Sequence, residues 1–168
     1  MTTHHAATHA DNNPVFNGLV AEVMANAERF GHREQLHLTW LAIRHHGVPK
    51  GIDLVSEGIQ RTARYQGVPQ KYNTTVSRAW VELVGYHAAE RGEDDFGNFA
   101  THHAALLDKR LLTRFYHPAT LASQQARTGW VEPDLNPFPW QHEKRPRDRR
   151  SAAGRCPRHP PCDDAVRD

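Results

Sequence analysis

Apolar residues in this chain recur every three to four positions over most of its length, and no stretch alternates in the manner of a strand. That spacing predicts helices throughout. From Pro14 to Phe30, the residues Phe16, Leu19, Val20, Val23, Met24 and Ala27 share one stripe, with Pro14 suited to a first-turn position and Gly31 breaking the run. The next stretch, FGHREQLHLTWLAIRHHG, sets Leu36, Trp40 and Ile43 at helical spacing, and Leu38 and Leu41 widen its apolar face. Gly47 and Pro49 supply the stop, and His45 and His46 suit the negative end of that helix dipole. A third helix is predicted from about Pro49 to Gln66 on Ile52, Val55, Ile59 and Ala63. Gly51 and Gly58 weaken it by on the order of 1 kcal/mol each relative to alanine, unless they mark close helix packing. A fourth helix, capped by Asn73, Thr74 or Thr75, carries Val76, Trp80, Leu83, Val84 and His87 and ends at Gly92.

Beyond Gly92 the pattern shortens. Asp94 or Asp95 can cap a short helix holding Phe96 and Phe99; His102 and His103 follow, and Leu106, Leu107, Leu111, Leu112 and Phe115 add core. PATLASQQAR reads as a further short turn. WVEPDLNPFPW is too proline-restricted for a helix and is expected to run as an extended strap anchored by Trp130 and Phe138. The fold expected is all-α, an irregular bundle of about five helices with an extended Pro/Trp-containing C-terminal strap.

Composition adds the boundaries. A chain of 168 residues suits one domain with tails. Its mean hydropathy of -0.74 reflects two polar ends more than a polar middle. Residues 1–13, with His4, His5 and His9, and the charged segment 141–168 are expected to be disordered around a single helical domain, 14–140. Neither a membrane-length apolar run nor a signal-peptide core is present, so no membrane partner and a cytoplasmic location are expected. A net charge of +2 suggests no nucleic-acid partner, and the basic run KRPRDRR is interrupted by Asp148 and lacks interleaved aromatics. Cys156, His159 and Cys162 offer three zinc ligands in a segment without a core to position them. There is no Walker phosphate loop, dinucleotide-binding glycine pattern, HExxH or GxSxG, which argues against nucleotide hydrolysis, Rossmann hydride transfer and α/β-hydrolase chemistry. Apolar stripes on several helices leave room for a homodimer.

The candidate chemistry lies at two helix entrances. His32, Glu34 and Gln35 fall within one turn, and Tyr72 and Asn73 open the fourth helix; each entrance is followed by a Trp. If these two helices pack together, their entrances can form one polar pocket. His32 and Gln35 share a face while His37 points elsewhere, and metal sites in bundles draw ligands from facing helices. Glutamine and asparagine are weak ligands for Zn, Cu or Fe, so this set is half-equipped. Asp108, Lys109, Arg110 and Arg114, with Ser123, Arg127 and Glu132, suit caps and surface ion pairs. Trp130 with Glu132 reads as a pocket lid or a tether.

FGHREQLHLTWLAIRHHG, KYNTTVSRAWVELV, LLDKRLLTRFY and LASQQARTGWVEPD together resemble a family of small uncharacterised helical bacterial proteins. The resemblance covers most of Phe30 to Pro139. The family pattern has a histidine three residues after the one matching His32 and another directly after the tyrosine matching Tyr72. Those histidines look like a metal set, and Gln35 and Asn73 replace them here. The resemblance brings no activity with it; the reading the two polar entrances support is a small-molecule-binding protein, an enzyme of bacterial specialised metabolism. In it His32 serves as metal ligand or general base, Gln35 and Asn73 orient substrate or a metal-bound water, Tyr72 donates a hydrogen bond and Asp108 stands behind them. Cu, Fe or Zn are the candidate ions, and a metal-free pocket is the competitor. The alternative is a non-catalytic binding or accessory protein whose polar groups only cap helices.

Overall fold

Asn13 opens the first helix of the computed structural model, which describes residues 13–143. Its side-chain oxygen accepts the backbone N–H groups of Val15 at 3.1 Å and Phe16 at 3.2 Å, and Pro14 takes the first helical position, where no N–H is needed. Helix α1 (Pro14–Met24) buries Phe16, Leu19 and Val23, three members of the predicted stripe. Apart from Asn13 and residues 141–143, which the structure orders into a helix cap and a helical turn, the expectations for the two chain ends, including the Cys156, His159 and Cys162 group, lie outside the described residues.

Helix α2 (His32–Tyr65) begins where the Gly31 N–H donates to Glu34 Oε2 at 3.0 Å. At Gly47 the backbone leaves helical geometry, with φ 77 and ψ 167, so α2 is two arms joined by an elbow. A Cβ on Gly51 would lie 3.7 Å from the Cα of Ile43. Eight residues along a straight helix span about 12 Å, so the chain turns sharply between them. Pro49 falls in the first turn of the second arm, where its missing N–H leaves no bond broken. The predicted stop and restart are therefore one bent element, and the glycines of the second arm mark close approach. A Cβ on Gly58 would sit 2.1 Å from the Phe16 ring, so α1 rests directly on bare α2 backbone.

Helix α3 (Thr74–Arg91) is the main partner of α2. Asn73 caps it through the Val76 N–H at 2.9 Å, and Gly92 ends it in the left-handed conformation, φ 61. Between α2 and α3 lies the core: Leu36, Leu38, Trp40, Val55, Trp80, Val81, Leu83 and Val84 are all buried. Asp95 caps α4 (Phe96–His102), which adds Phe96 and Phe99. Two 3₁₀ turns follow (Ala104–Leu107 and Leu111–Arg114), then α5 (Pro118–Ala122) and α6 (Gln124–Thr128).

Among the described residues the chain is all-α, with no strand and seven helices, four of them of seven residues or more. No helix there is long and apolar enough to cross a membrane. The strap is extended, as expected, and its anchors are specific. The fully buried Thr75 hydroxyl donates to the Gly129 carbonyl at 2.7 Å and accepts the Val131 N–H at 3.0 Å, while Tyr116 Oη donates to the Val131 carbonyl at 2.8 Å. Phe138 is buried completely. The strap ends sooner than predicted, because Pro139 starts a one-turn helix, α7 (Pro139–Glu143). Proline presets the first helical φ, and the Phe138 N–H is taken by Gln141 Oε1 at 2.8 Å.

Candidate metal centre

The two helix entrances are separately employed. The His32 ring nitrogen Nε2 is 2.9 Å from the Leu106 carbonyl, and the ring stands edge-on to Trp80 at 4.7 Å, two turns inside α3. Asn73 is fully used: Oδ1 caps α3, and Nδ2 donates to the Leu121 carbonyl at 2.7 Å. Gln35 is half-buried on α2. Tyr72 borders a separate polar cleft with Gln60, Gln70 and Arg127. Asp108 is exposed, accepts the Arg110 N–H at 2.9 Å and lies 3.3 Å from the Arg110 guanidinium, which holds its carboxyl below the usual range, chiefly through that backbone bond. Among the described residues, no hydrogen bond or ring contact joins His32 to Gln35, Tyr72, Asn73 or Asp108.

A different group does converge, where α3 ends and α4 turns back. His87 and Glu90 lie three residues apart and so share one face of α3, with His87 Nδ1 2.9 Å from Glu90 Oε2. The left-handed turn at Gly92 reverses the chain, and α4 returns His102 and His103 to the same place. His103 Nδ1 is 4.0 Å from Glu90 Oε2, and its ring centroid is 4.8 Å from that of His87. One ligand atom each from His87, Glu90 and His103 can be chosen so that all lie within 4.8 Å of one another. A tetrahedral ion with bonds of about 2.0–2.1 Å sets its ligands roughly 3.4 Å apart, so a closure of about 1.4 Å at the widest pair brings three ligands into place and leaves a fourth position open.

Behind this triad is Glu93, whose side chain is 6% exposed. Neither of its carboxylate oxygens accepts a hydrogen bond, and the Nε2 of His103, itself 10% exposed, is likewise unpartnered. The two face each other at 3.7 Å, and His102 Nδ1 lies 3.4 Å from the same carboxylate oxygen. A buried carboxylate without a hydrogen bond is costly, so its position calls for a reason. Arg44 does not supply one, since its guanidinium donates to the Glu93 backbone carbonyl.

Protonation states suit a metal. Burial first, then the neighbouring His87, push His103 below the usual imidazole value, against the opposing pull of Glu93 and Glu90. The hydrogen bond from His87 is the largest influence holding Glu90 below the usual carboxylate value. A neutral imidazole and an ionised carboxylate are the forms that ligate divalent ions. Two histidines and one carboxylate form a donor set found for zinc and for non-haem iron.

Sequence reasoning passed over this group. His87 reads as part of the α3 stripe and His102–His103 as the polar end of a short helix. The one local signal is the histidine–carboxylate spacing of three at 87 and 90. The chain matches no protein-family model, and comparison with curated proteins and with solved structures gave no match.

Proposed function

We propose that this protein binds a divalent transition metal through His87, Glu90 and His103, with Glu93 orienting His103. The buried Glu93 carboxylate, which accepts no hydrogen bond and faces His103 Nε2 at 3.7 Å, carries the reading. If the Nδ1 of His103 faces the ion, its Nε2–H points at Glu93, the carboxylate–histidine arrangement that fixes tautomer and ring direction beside a metal. Glu90 is 44% exposed, so the open side of the triad meets solvent and has room for a water or a substrate oxygen. When bound, such an ion supplies Lewis acidity or an activated water, and the small-molecule enzyme reading belongs at this end of α3. At the other end, the cap that Asn73 makes on α3 supports the helix-cap reading there.

The test is Co(II) and Zn(II) titration of full-length, chelator-stripped protein near neutral pH, beside His87→Gln and His103→Gln. The parent should take up one tightly held equivalent with a nitrogen and oxygen ligand spectrum, and both variants should lose it while keeping parental circular dichroism. Uptake unchanged in both variants, or a sulfur-to-cobalt band marking the tail cysteines as the ligands, refutes the reading.

A further inference from the structure

A second site lies between α3 and the strap, next to the first, with Tyr86 of its wall 5.3 Å from the His87 ring. We propose that it binds a small organic cation, a substituted ammonium with an apolar body. The cleft measures about 490 Å³ and is walled by the rings of Tyr86, Trp130 and Trp140 and the carboxylates of Glu82 and Glu132. That volume is in the range of ligand pockets. The rings are braced from behind. Trp140 stacks on the fully buried Phe138 with centroids 4.6 Å apart and planes 6° from parallel, and Tyr86 lies 5.7 Å from Trp140.

The charge on this wall selects the ligand. Aromatic faces attract cations, and the protein already uses one in this way: the Arg78 guanidinium lies 4.4 Å over the Trp130 ring. Arg78 is itself matched, its Nε 2.7 Å from Glu82 Oε1. Glu132 is different. Its Oε1 accepts the Trp130 indole N–H at 2.8 Å and its Oε2 accepts the Gln141 amide at 3.0 Å. Both donors are neutral, so they fix the carboxylate's direction and leave its charge in place. No ion pair to Glu132 occurs among the described residues. One guanidinium against two carboxylates leaves the cleft negative, with the Tyr86 and Trp140 rings beside the excess and Arg78 already covering a face of Trp130.

An anion meets net repulsion there. A bare metal ion finds only one free carboxylate and no imidazole, a poor donor set. A neutral apolar molecule fits the rings but gains nothing from Glu132. A substituted ammonium uses both, its alkyl groups on Tyr86 and Trp140 and its charge toward the carboxylate.

The experiment is a nuclear magnetic resonance titration of the full-length protein, reading the tryptophan indole N–H signals. The probe is choline; the comparison probe is the neutral alcohol in which carbon replaces the choline nitrogen. Sodium chloride holds ionic strength constant. The expected result is a saturable shift of the Trp130 and Trp140 signals with choline, at least about fivefold weaker binding of the neutral isostere, and a similar weakening in Glu132→Gln. Glutamine keeps the oxygen that the Trp130 N–H uses and gives up only the exposed bond from the Gln141 amide, so the fold should be retained, and Tyr86→Leu should weaken choline binding independently. Absence of a saturable shift, equal binding of the two probes, or parental affinity in Glu132→Gln overturns the proposal.

Discussion

Replacing Glu93 by glutamine separates a metal-orienting carboxylate from a structural one, because the two roles give opposite signs. The carboxylate is 94% buried by its 6% exposure and accepts no hydrogen bond. A buried polar group left unpaired costs roughly 1–3 kcal/mol, and more if it is charged. Two neighbours offset this. His103, 3.7 Å away, is held neutral near pH 7 by its own burial and so contributes little charge. His102, 3.4 Å away, is 48% exposed, and a solvent-screened pair of that kind is worth about 0–1 kcal/mol. Desolvation therefore wins, and Glu93→Gln should stabilise the metal-free protein by about 1 kcal/mol, read by urea unfolding. The same variant should weaken Zn(II) binding by about 10- to 100-fold, read by competition with a chromophoric chelator, because His103 loses the acceptor that fixes its tautomer. A metal-free variant less stable than the parent by more than about 1 kcal/mol would make Glu93 a structural counter-ion and refute the reasoning.

The close approach of α1 to α2 gives a matched pair of alanine substitutions. Gly18→Ala meets nothing within 4 Å and should stabilise by up to about 1 kcal/mol, whereas Gly58→Ala places a methyl 2.1 Å from the Phe16 ring and should lose about 1–2 kcal/mol net, both read by urea midpoints. Thr75→Val keeps the buried shape but strands the Val131 N–H and frees the Gly129 carbonyl. It should cost roughly 2–3 kcal/mol and raise proteolytic cleavage in the strap; an unchanged cleavage pattern would mean that Thr75 is not its anchor. His37 stacks on Phe96 at 4.3 Å, and burial leads the influences that lower its pKa from 6.5, so the unfolded chain takes up this proton first as pH falls. Stability from this group is complete above 6.5 and is lost as pH falls through 6.5 toward the lower folded value; His37→Phe should flatten that part of the unfolding pH profile.

The helical architecture was legible because each long element carries its own period and its own punctuation. Asn13, Asn73 and Asp95 cap through bonds that depend only on neighbours three residues away, and Gly47 takes the positive φ that its place before Pro49 suggests. The short helices are harder to place from sequence because one turn has no period. Helices α5, α6 and α7 rest on a single device each: Pro118, Ser123 bonding the Ala126 N–H at 3.1 Å, and Pro139. The strap's path depends on Thr75 and Tyr116, which lie 56 and 15 residues from the Val131 they hold.

The metal-site candidate resisted a linear reading for a more particular reason. His32 drew attention because it sits with polar neighbours at a helix start, but a helix start needs polar groups for its own unpaired N–H bonds, so polarity there says little about chemistry. Glu93 sits in Arg91-Gly92-Glu93-Asp94-Asp95, which by composition is a solvated loop. Its burial comes from the left-handed turn at Gly92, which swings α4 back so that His102 and His103 cover the carboxylate. The informative residue is thus the one whose local composition and tertiary environment disagree. A carboxylate drawn out of water without a hydrogen bond is unfavourable in the metal-free fold, and the proposed ion held through His103 would offset that cost.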